Sequence, residues 1–356
     1  MTSNLAINQK IDVSRLFEEY IESNSIHPIF LKGDSLEILS SLPDKSISCA
    51  MTSPPYWSKR QYADKGIGME KDYQTYIKNI CAVFYQLKRV LKDTGSFWLN
   101  IGDTYKNKNL LGLPWRIAIE MTDNQGWTLR NEVVWNKVKG GLDNSKDKLG
   151  NVHEQLFHFV KKTKDYFYDC DAIRSKPSKS KVVNGAIVSA TGVSGVRYRR
   201  QIELSTELTT REKKNALEAL NLMLDDVKNG KLSDFRMIIR GQQRTTHSDS
   251  KKISGRAKEL FSKGFYFLKY NPKGSKPRDV WDIIPEDTQK RTKHYAAYPE
   301  DLCKIPLLVT CPKDGIVLDP FAGTGTTMLV AKQLGLKSVG LELSEEYINL
   351  AKHRCK

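Results

Sequence analysis

The sequence predicts an α/β fold with a mostly parallel sheet, assembled from both ends of the chain and interrupted by a large basic insert. Three observations predict it. Short apolar runs near residues 29, 48 and 97 alternate with a strong helical pattern, the rhythm of βαβ units. A glycine-rich strand-to-helix turn, Asp319–Thr327, lies near the C-terminus, where about two local strands cannot stand alone. From Asp171 to Val280 there are 24 Lys and Arg against 11 Asp and Glu, most of the net +16, and the alternation lapses within this segment. At 356 residues, 39% of them hydrophobic, the chain suits a core domain plus an insertion.

Each element has a local reason. Residues 1–27 read as a helical arm, and Pro28–Leu31 as a strand that turns at Gly33-Asp34, with Asp34 placed to cap a helix over 35–41. Pro43-Asp44 makes the turn into a strand over Ile47–Met51. Tyr73, Tyr76, Ile77, Ile80, Phe84 and Leu87 share one face of a helix over 70–92, which Lys92–Gly95 is expected to stop before a strand over Ser96–Ile101. A helix near 113–124 opens at Pro114. Strands over Leu129–Trp135 and His153–Lys161 flank a polar loop at 139–151. Residues 175–195 show no sustained period and read as flexible or irregular. Thr209-Thr210-Arg211-Glu212 forms a capping box before a helix to about Lys228, which Gly230 ends. A basic stretch follows, and α/β order resumes at Asp279–Ile284. The expected divisions are therefore an arm at 1–27, a first half at 28–170, a basic insert at 171–278 and a second half at 279–356.

Composition excludes several classes. No apolar stretch approaches the ~20 residues of a membrane span. The first 22 residues carry Asp12, Glu18 and Glu19 without an apolar h-region, so no secretory signal is expected there. The six cysteines are scattered without a C-x-x-C pair, which argues against a metal site or disulfide framework and for a reducing, cytoplasmic setting. The concentrated positive charge suggests a polyanionic partner.

Two loops carry the chemistry. Thr52-Ser53-Pro54-Pro55-Tyr56-Trp57 follows a buried strand, and its two prolines fix the backbone and remove two donors. The result is a rigid, acceptor-rich loop at a strand end, where open α/β sheets place ligands. In the second, Ile316–Leu318 ends in Asp319-Pro320-Phe321-Ala322-Gly323-Thr324-Gly325-Thr326-Thr327, and the next strand, from Lys337, closes on Glu342. The glycines admit close approach, and the Glu342 carboxylate suits two ribose hydroxyls. The turn has no lysine, against a P-loop, and Met328 stands where a dinucleotide fold wants its third glycine. S-adenosylmethionine (AdoMet) fits best, with its methionine end near Asp319 and Phe321. One sheet containing both loops would place its methyl beside Ser53–Tyr56.

At these residues the chain resembles the β-class DNA amino-methyltransferases of restriction-modification type. Thr52–Trp57 matches their catalytic motif; Asp319–Thr327 with Gly340–Ser344 matches their AdoMet motif. His294–Glu300 and Arg130–Trp135 resemble two further family elements. The resemblance implies an AdoMet-dependent methyltransferase fold, Rossmann-like and circularly permuted, with a target-recognition domain inserted between the motifs. It implies Ser53, Pro54, Pro55 and Tyr56 as catalytic residues and Asp34, Asp319, Phe321, Gly323, Gly325, Thr326 and Glu342 as cofactor residues. Gly33-Asp34 matches the position whose acid contacts the adenine ring of AdoMet. Hydrogen bonds to Ser53 Oγ and the Pro54 carbonyl would orient an exocyclic amino group, with Tyr56 stacked on a flipped base. Trp57 is a second stacking candidate or a core residue. Arg197, Arg199 and Arg200, with Arg240 and Arg244, are the expected contacts to double-stranded DNA.

The Ser-Pro-Pro-Tyr form goes with N4 of cytosine in this family, and the Asp-Pro-Pro-Tyr form with N6 of adenine, so cytosine is the expected base and adenine the alternative. An RNA or protein methyltransferase and a non-catalytic nucleic-acid-binding protein on the same fold are the rival readings. A cognate restriction endonuclease acting separately, and monomer against homodimer, stay open.

Overall fold

The structure, a computed structural model, describes residues 13–59, 66–139, 144–177, 179–190, 192–242, 255–285 and 298–356. They divide into two compact units, one formed by the residues up to Ala172 with those from Arg278 onward, the other by Ile173–Pro277.

In chain order, the first unit opens with α1 (13–22), β1 (Ile29–Lys32), α2 (Ser35–Ser41), β2 (Ile47–Thr52), α3 (Tyr73–Val90) and β3 (Leu91–Ile101). A hairpin of β4 (Tyr105–Lys106) and β5 (Asn109–Leu110) precedes α4 (Leu113–Asp123), β6 (Thr128–Asn136) and β7 (His153–Val160). Local chemistry accounts for the ends. Asp34 accepts from the Leu36 and Glu37 amides to cap α2, and Asp72 accepts from Thr75 N to cap α3. The expected break at Lys92–Gly95 is absent: β3 starts directly after α3. Leu91 pairs with Ile47, and the register then shifts so that Cys49 pairs with Ser96, which absorbs those residues as a bulge within the strand.

The second unit holds β8 (Lys181–Val183), β9 (Ala186–Val188), α5 (Gly195–Glu203), α6 (Thr210–Lys228), β10 (Asp234–Ile239), α7 (Gly255–Lys263) and β11 (Phe265–Tyr270). The first two correct the irregular reading of 175–195. Asn184 and Gly185 both adopt positive φ (49° and 79°), so an Asn-Gly turn closes a two-residue hairpin. That dipeptide, between Val182-Val183 and Ala186–Val188, was the available signal, masked because each strand is only three residues long and shows no period. The α6 capping box forms as the sequence predicts, with Thr209 Oγ1 accepting from Glu212 N and the Glu212 carboxylate accepting from Thr209 N. Tyr198, Ile202, Leu220, Phe235 and Phe265 build this unit's own core, in which the Tyr198 ring stacks on Phe235.

The first unit resumes with β12 (Val280–Asp282), α8 (Glu300–Thr310), β13 (Ile316–Asp319), α9 (Thr326–Gln333), β14 (Lys337–Glu342) and α10 (Glu345–Arg354). Its eight strands form one sheet in the order β1-β14-β13-β2-β3-β7-β6-β12. All neighbours run parallel except the two pairings made by β7. The decisive pairing joins the two ends of the chain: β13 lies against β2, with Val317 opposite Cys49 and Leu318 opposite Ala50. The two chemistry-bearing loops thus leave the C-terminal ends of adjacent, central parallel strands. Among the described residues, no helix is long and apolar enough to cross a membrane.

Candidate active site

β2 is buried along its whole length, and the chain leaving it is held at once. Thr52 Oγ1 donates to Asp319 Oδ1 at 2.5 Å, tying the end of β2 to the end of β13. Tyr76 OH donates to the Pro55 carbonyl at 3.0 Å, and Trp57 Nε1 donates to the Glu70 carbonyl at 2.9 Å. Trp57 is buried in the core, edge-on to Tyr73, so it is a packing residue and not a stacking surface for a base. Ser53, Pro54, Pro55 and Tyr56 then line a cavity of about 650 Å³, a size typical of small-molecule sites.

Three residues not foreseen from the sequence complete this wall. Asn100 lies on β3, Glu154 on β7, and Lys137 just beyond β6, and all three line the cavity. Glu154 Oε2 accepts from Tyr56 OH and from Asn100 Nδ2, each at 2.8 Å, while Glu154 Oε1 is 2.5 Å from Lys137 Nζ. Ser53 Oγ and Tyr56 OH are 3.1 Å apart. The Tyr56 hydroxyl is enclosed, and burial together with the Glu154 charge holds its pKa well above the ordinary value, so the phenol stays neutral. Gly102 is required beside it, because a Cβ there would lie 2.9 Å from Tyr56 Cε2. The spacing of Asn100, Lys137 and Glu154 follows no motif; the sequence signal was Asn100 alone, a polar residue within the apolar run Phe97–Ile101.

The second loop forms the facing wall. Asp34, Phe321, Gly323, Thr326 and Glu342 line the same cavity. The Glu342 carboxylate, at the end of β14, accepts from Gly323 N and from Ser344 N, both at 2.8 Å. Burial pushes its pKa up while backbone bonds from Ser344, Gly323 and Leu343 oppose the shift. A carboxylate has about four acceptor positions, so it keeps acceptor capacity for a ligand's hydroxyl. With the Phe321 ring and the Asp34 carboxyl, this wall has the acceptors and apolar surface that an adenosine bearing a methionine needs. The residues present fit S-adenosylmethionine.

Two expected cofactor residues are placed differently. Asp319 is 1% exposed and does not line the cavity. Its carboxylate accepts from Thr52 Oγ1, Thr327 Oγ1 (2.7 Å), Phe321 N (3.0 Å) and Tyr298 OH (3.1 Å). Burial pushes its pKa up against those four bonds. Asp319 is therefore a buried hub that joins the two loops. Gly325 caps α9 at φ 76°, where a Cβ would meet Ala351 at 2.9 Å, so it serves the packing of the turn against α10.

In the second unit, Arg197, Arg199 and Arg200 stand exposed on α5 while Tyr198 and Ile202 turn into the core. Arg199 donates to Asn221 Oδ1. Arg240 is used internally: its guanidinium bonds both oxygens of Glu212 and the carbonyls of Glu207 and Phe261. Arg244 and residues 294–297 lie outside the described residues. Among the described residues, no cluster of His, Cys, Asp and Glu is arranged to hold a metal ion.

Known DNA methyltransferases resemble this chain in sequence and fold. The pattern of a DNA methylase family, of N6/N4 type, matches residues 47–353. A type II methyltransferase of Serratia marcescens, M.SmaI, is 27% identical over 377 aligned positions, covering 98% of this chain and 97% of its own. M.SfiI of Streptomyces fimbriatus is 28% identical, covering 89% of this chain and 88% of its own. Among solved structures, the PvuII DNA methyltransferase (cytosine-N4-specific) superposes with a TM-score of 0.53 at 17% identity, over 91% of this chain and 85% of its own, a likeness of fold.

Proposed function

We propose, for this chain, which belongs to the N6/N4 DNA methylase family, that it methylates the exocyclic N4 of cytosine within a specific double-stranded DNA site. It is a β-class DNA amino-methyltransferase of restriction-modification type, and its methyl donor is S-adenosylmethionine. When bound, that cofactor supplies a methyl group on a sulfonium, already activated for displacement, so the protein's task is orientation more than strong base catalysis.

The observation that carries the reading is the shared cavity. The Ser53–Tyr56 loop and the Phe321–Gly323 turn form two walls of one space of about 650 Å³, with Glu342 on the cofactor wall. Ser53 Oγ and the Pro54 carbonyl accept the two N–H bonds of the target amino group, which favours a pyramidal nitrogen with its lone pair free. Glu342 holds the ribose hydroxyls, and Asp34 lies beside the adenine. The base reaches this cavity only after leaving the duplex. Ser53 in place of an Asp supports cytosine over adenine, and a protein named for cytosine-N4 specificity shares the fold.

The exposed arginines of α5 are the proposed phosphate contacts, in a unit that concentrates the chain's positive charge. Arg240 is left out of that set because both terminal nitrogens of its guanidinium are already bonded within the unit.

Digestion of DNA methylated in vitro to nucleosides, followed by mass spectrometry, tests the assignment. N4-methylcytosine is the expected product. N6-methyladenine would overturn the choice of base, and no methylated nucleoside would overturn the reading.

A further inference from the structure

The four residues around Ser53 differ in what hydrogen-bond roles they can take, and that difference sets a direction. Glu154 Oε2 only accepts, so Tyr56 donates to it and spends its single hydrogen there. Ser53 Oγ, 3.1 Å from Tyr56 OH, is then the donor of that pair; one of its lone pairs faces Asn100 Nδ2 at 3.4 Å and the other is left as an acceptor. The same carboxylate orients Asn100: the amide turns Nδ2 toward Glu154 at 2.8 Å, with further reach to Tyr56 OH at 3.1 Å. Asn100 Oδ1 is buried and has no partner among the described residues. Asn100 and Ser53 both line the cavity. Lys137, ion-paired to the other Glu154 oxygen, pins the carboxylate in place.

We infer that Glu154 is a positioning residue that fixes the hydrogen-bond polarity of the target site. Through Tyr56 it makes Ser53 Oγ an acceptor beside the Pro54 carbonyl, so that the site takes an exocyclic amino group and rejects a carbonyl in its place. A target with a carbonyl would set oxygen against oxygen and leave Ser53 Oγ and the Pro54 carbonyl without their donors. Sites built to bond one polar group reject analogues lacking it strongly. The selection separates cytosine and adenine from uracil and hypoxanthine, and it rests on the reading of Ser53 as the residue that meets the target amino group.

The test uses the full-length protein, radiolabelled S-adenosylmethionine and duplexes carrying the site first mapped with wild type. One duplex set has the target base, and the other has its deaminated counterpart, uracil for cytosine or hypoxanthine for adenine. Glu154→Gln places an amide N–H where Tyr56 donates and so frees Ser53 to donate outward. The expected result is a single-turnover rate lowered by about 100-fold, a typical loss for one oriented site contact, with S-adenosylmethionine affinity held within about twofold. The preference in binding for amino over deaminated duplex should fall by about tenfold relative to wild type, the size of a lost hydrogen bond of about 1.4 kcal/mol. A mismatched base flips more easily, but equally for both proteins, so the ratio reports the site.

Tyr56→Phe cuts the same link without touching Glu154, and the double variant should be no slower than the slower single one. Wild-type rate in either variant, an unchanged preference ratio, or additive losses would overturn the inference. If Glu154→Gln does not fold, Tyr56→Phe decides by the same ratio. Failure of wild type to methylate DNA would instead defeat the underlying reading.

Discussion

Acid should weaken the sheet unit through one buried histidine, His158 on β7. Its ring stacks on Trp98, with centroids 4.3 Å apart and planes 6° from parallel, and its Nε2 lies 3.0 Å from Ser96 Oγ. His158 is 1% exposed, and burial, with the Arg130 charge adding to it, pushes its pKa down to about 3. The unfolded chain binds this proton near pH ~6.5, and the folded chain does not bind it until far lower. Stability is therefore complete well above the unfolded value and is lost as pH falls toward the folded one. At pH 5 the unfolded state is protonated and the folded state is not, so the loss is about 1.5 pH units at ~1.36 kcal/mol each, or about 2 kcal/mol. As long as the folded value lies well below 5, the unfolded value alone sets that figure. All six tryptophans lie in the sheet unit, so urea melts followed by tryptophan fluorescence report on it alone. The assay compares wild type with His158→Gln at pH 7, 6 and 5. The variant loses the stacking at every pH, but its stability should fall by about 2 kcal/mol less between pH 7 and 5. Equal slopes for the two proteins would refute the assignment of the acid sensitivity to His158.

Further consequences are equally open to measurement. Replacing Ser53 by Ala should abolish most methyl transfer, with S-adenosylmethionine affinity by calorimetry nearly unchanged. Asp319→Ala leaves the Phe321 amide and buried hydroxyls without an acceptor, at about 1–3 kcal/mol for each group not re-paired; denaturant melts should show the loss, together with weaker cofactor binding. Gly340→Ala would bring a Cβ to 2.7 Å from Met328 Sδ and 2.8 Å from Ala322 Cβ, so overpacking should cost about 1–3 kcal/mol in thermal unfolding. Changing Arg197, Arg199 and Arg200 together to Ala should flatten the salt dependence of DNA binding, by up to about 2.7 in log–log slope. Arg240→Ala should instead lower the melting temperature of the insert and leave that slope nearly intact.

The sequence by itself determined most local structure. The Asp34 cap, the Thr209 capping box, the amphipathic α3 and the glycine turn before α9 all arise from residues within a few positions of one another. Their physical causes are capping, periodicity and backbone freedom, which act over such distances. The two loops were legible for the same reason: Ser53–Tyr56 and Asp319–Thr327 are each contiguous. Even so, local reading missed the Asn184-Gly185 hairpin and the direct passage from α3 into β3, because strands of only three residues hid one and a register shift against β2 decided the other.

Only the tertiary structure decided what each loop faces. Pairing of β13 with β2 buries Asp319 as a hub between the loops instead of leaving it on the cavity wall, and packing on α10 claims Gly325. Arg240 carries the same charge as its neighbours on α5, yet Glu212 and two carbonyls take its donors. Asn100, Lys137 and Glu154 meet Ser53 and Tyr56 only because β3, β6 and β7 lie side by side, with β7 reversed. A carboxylate 98 residues from Tyr56 has no local signature of that role. Its meaning comes from which strand edges the sheet brings together, and long-range pairing is the part of the fold that residue spacing does not encode.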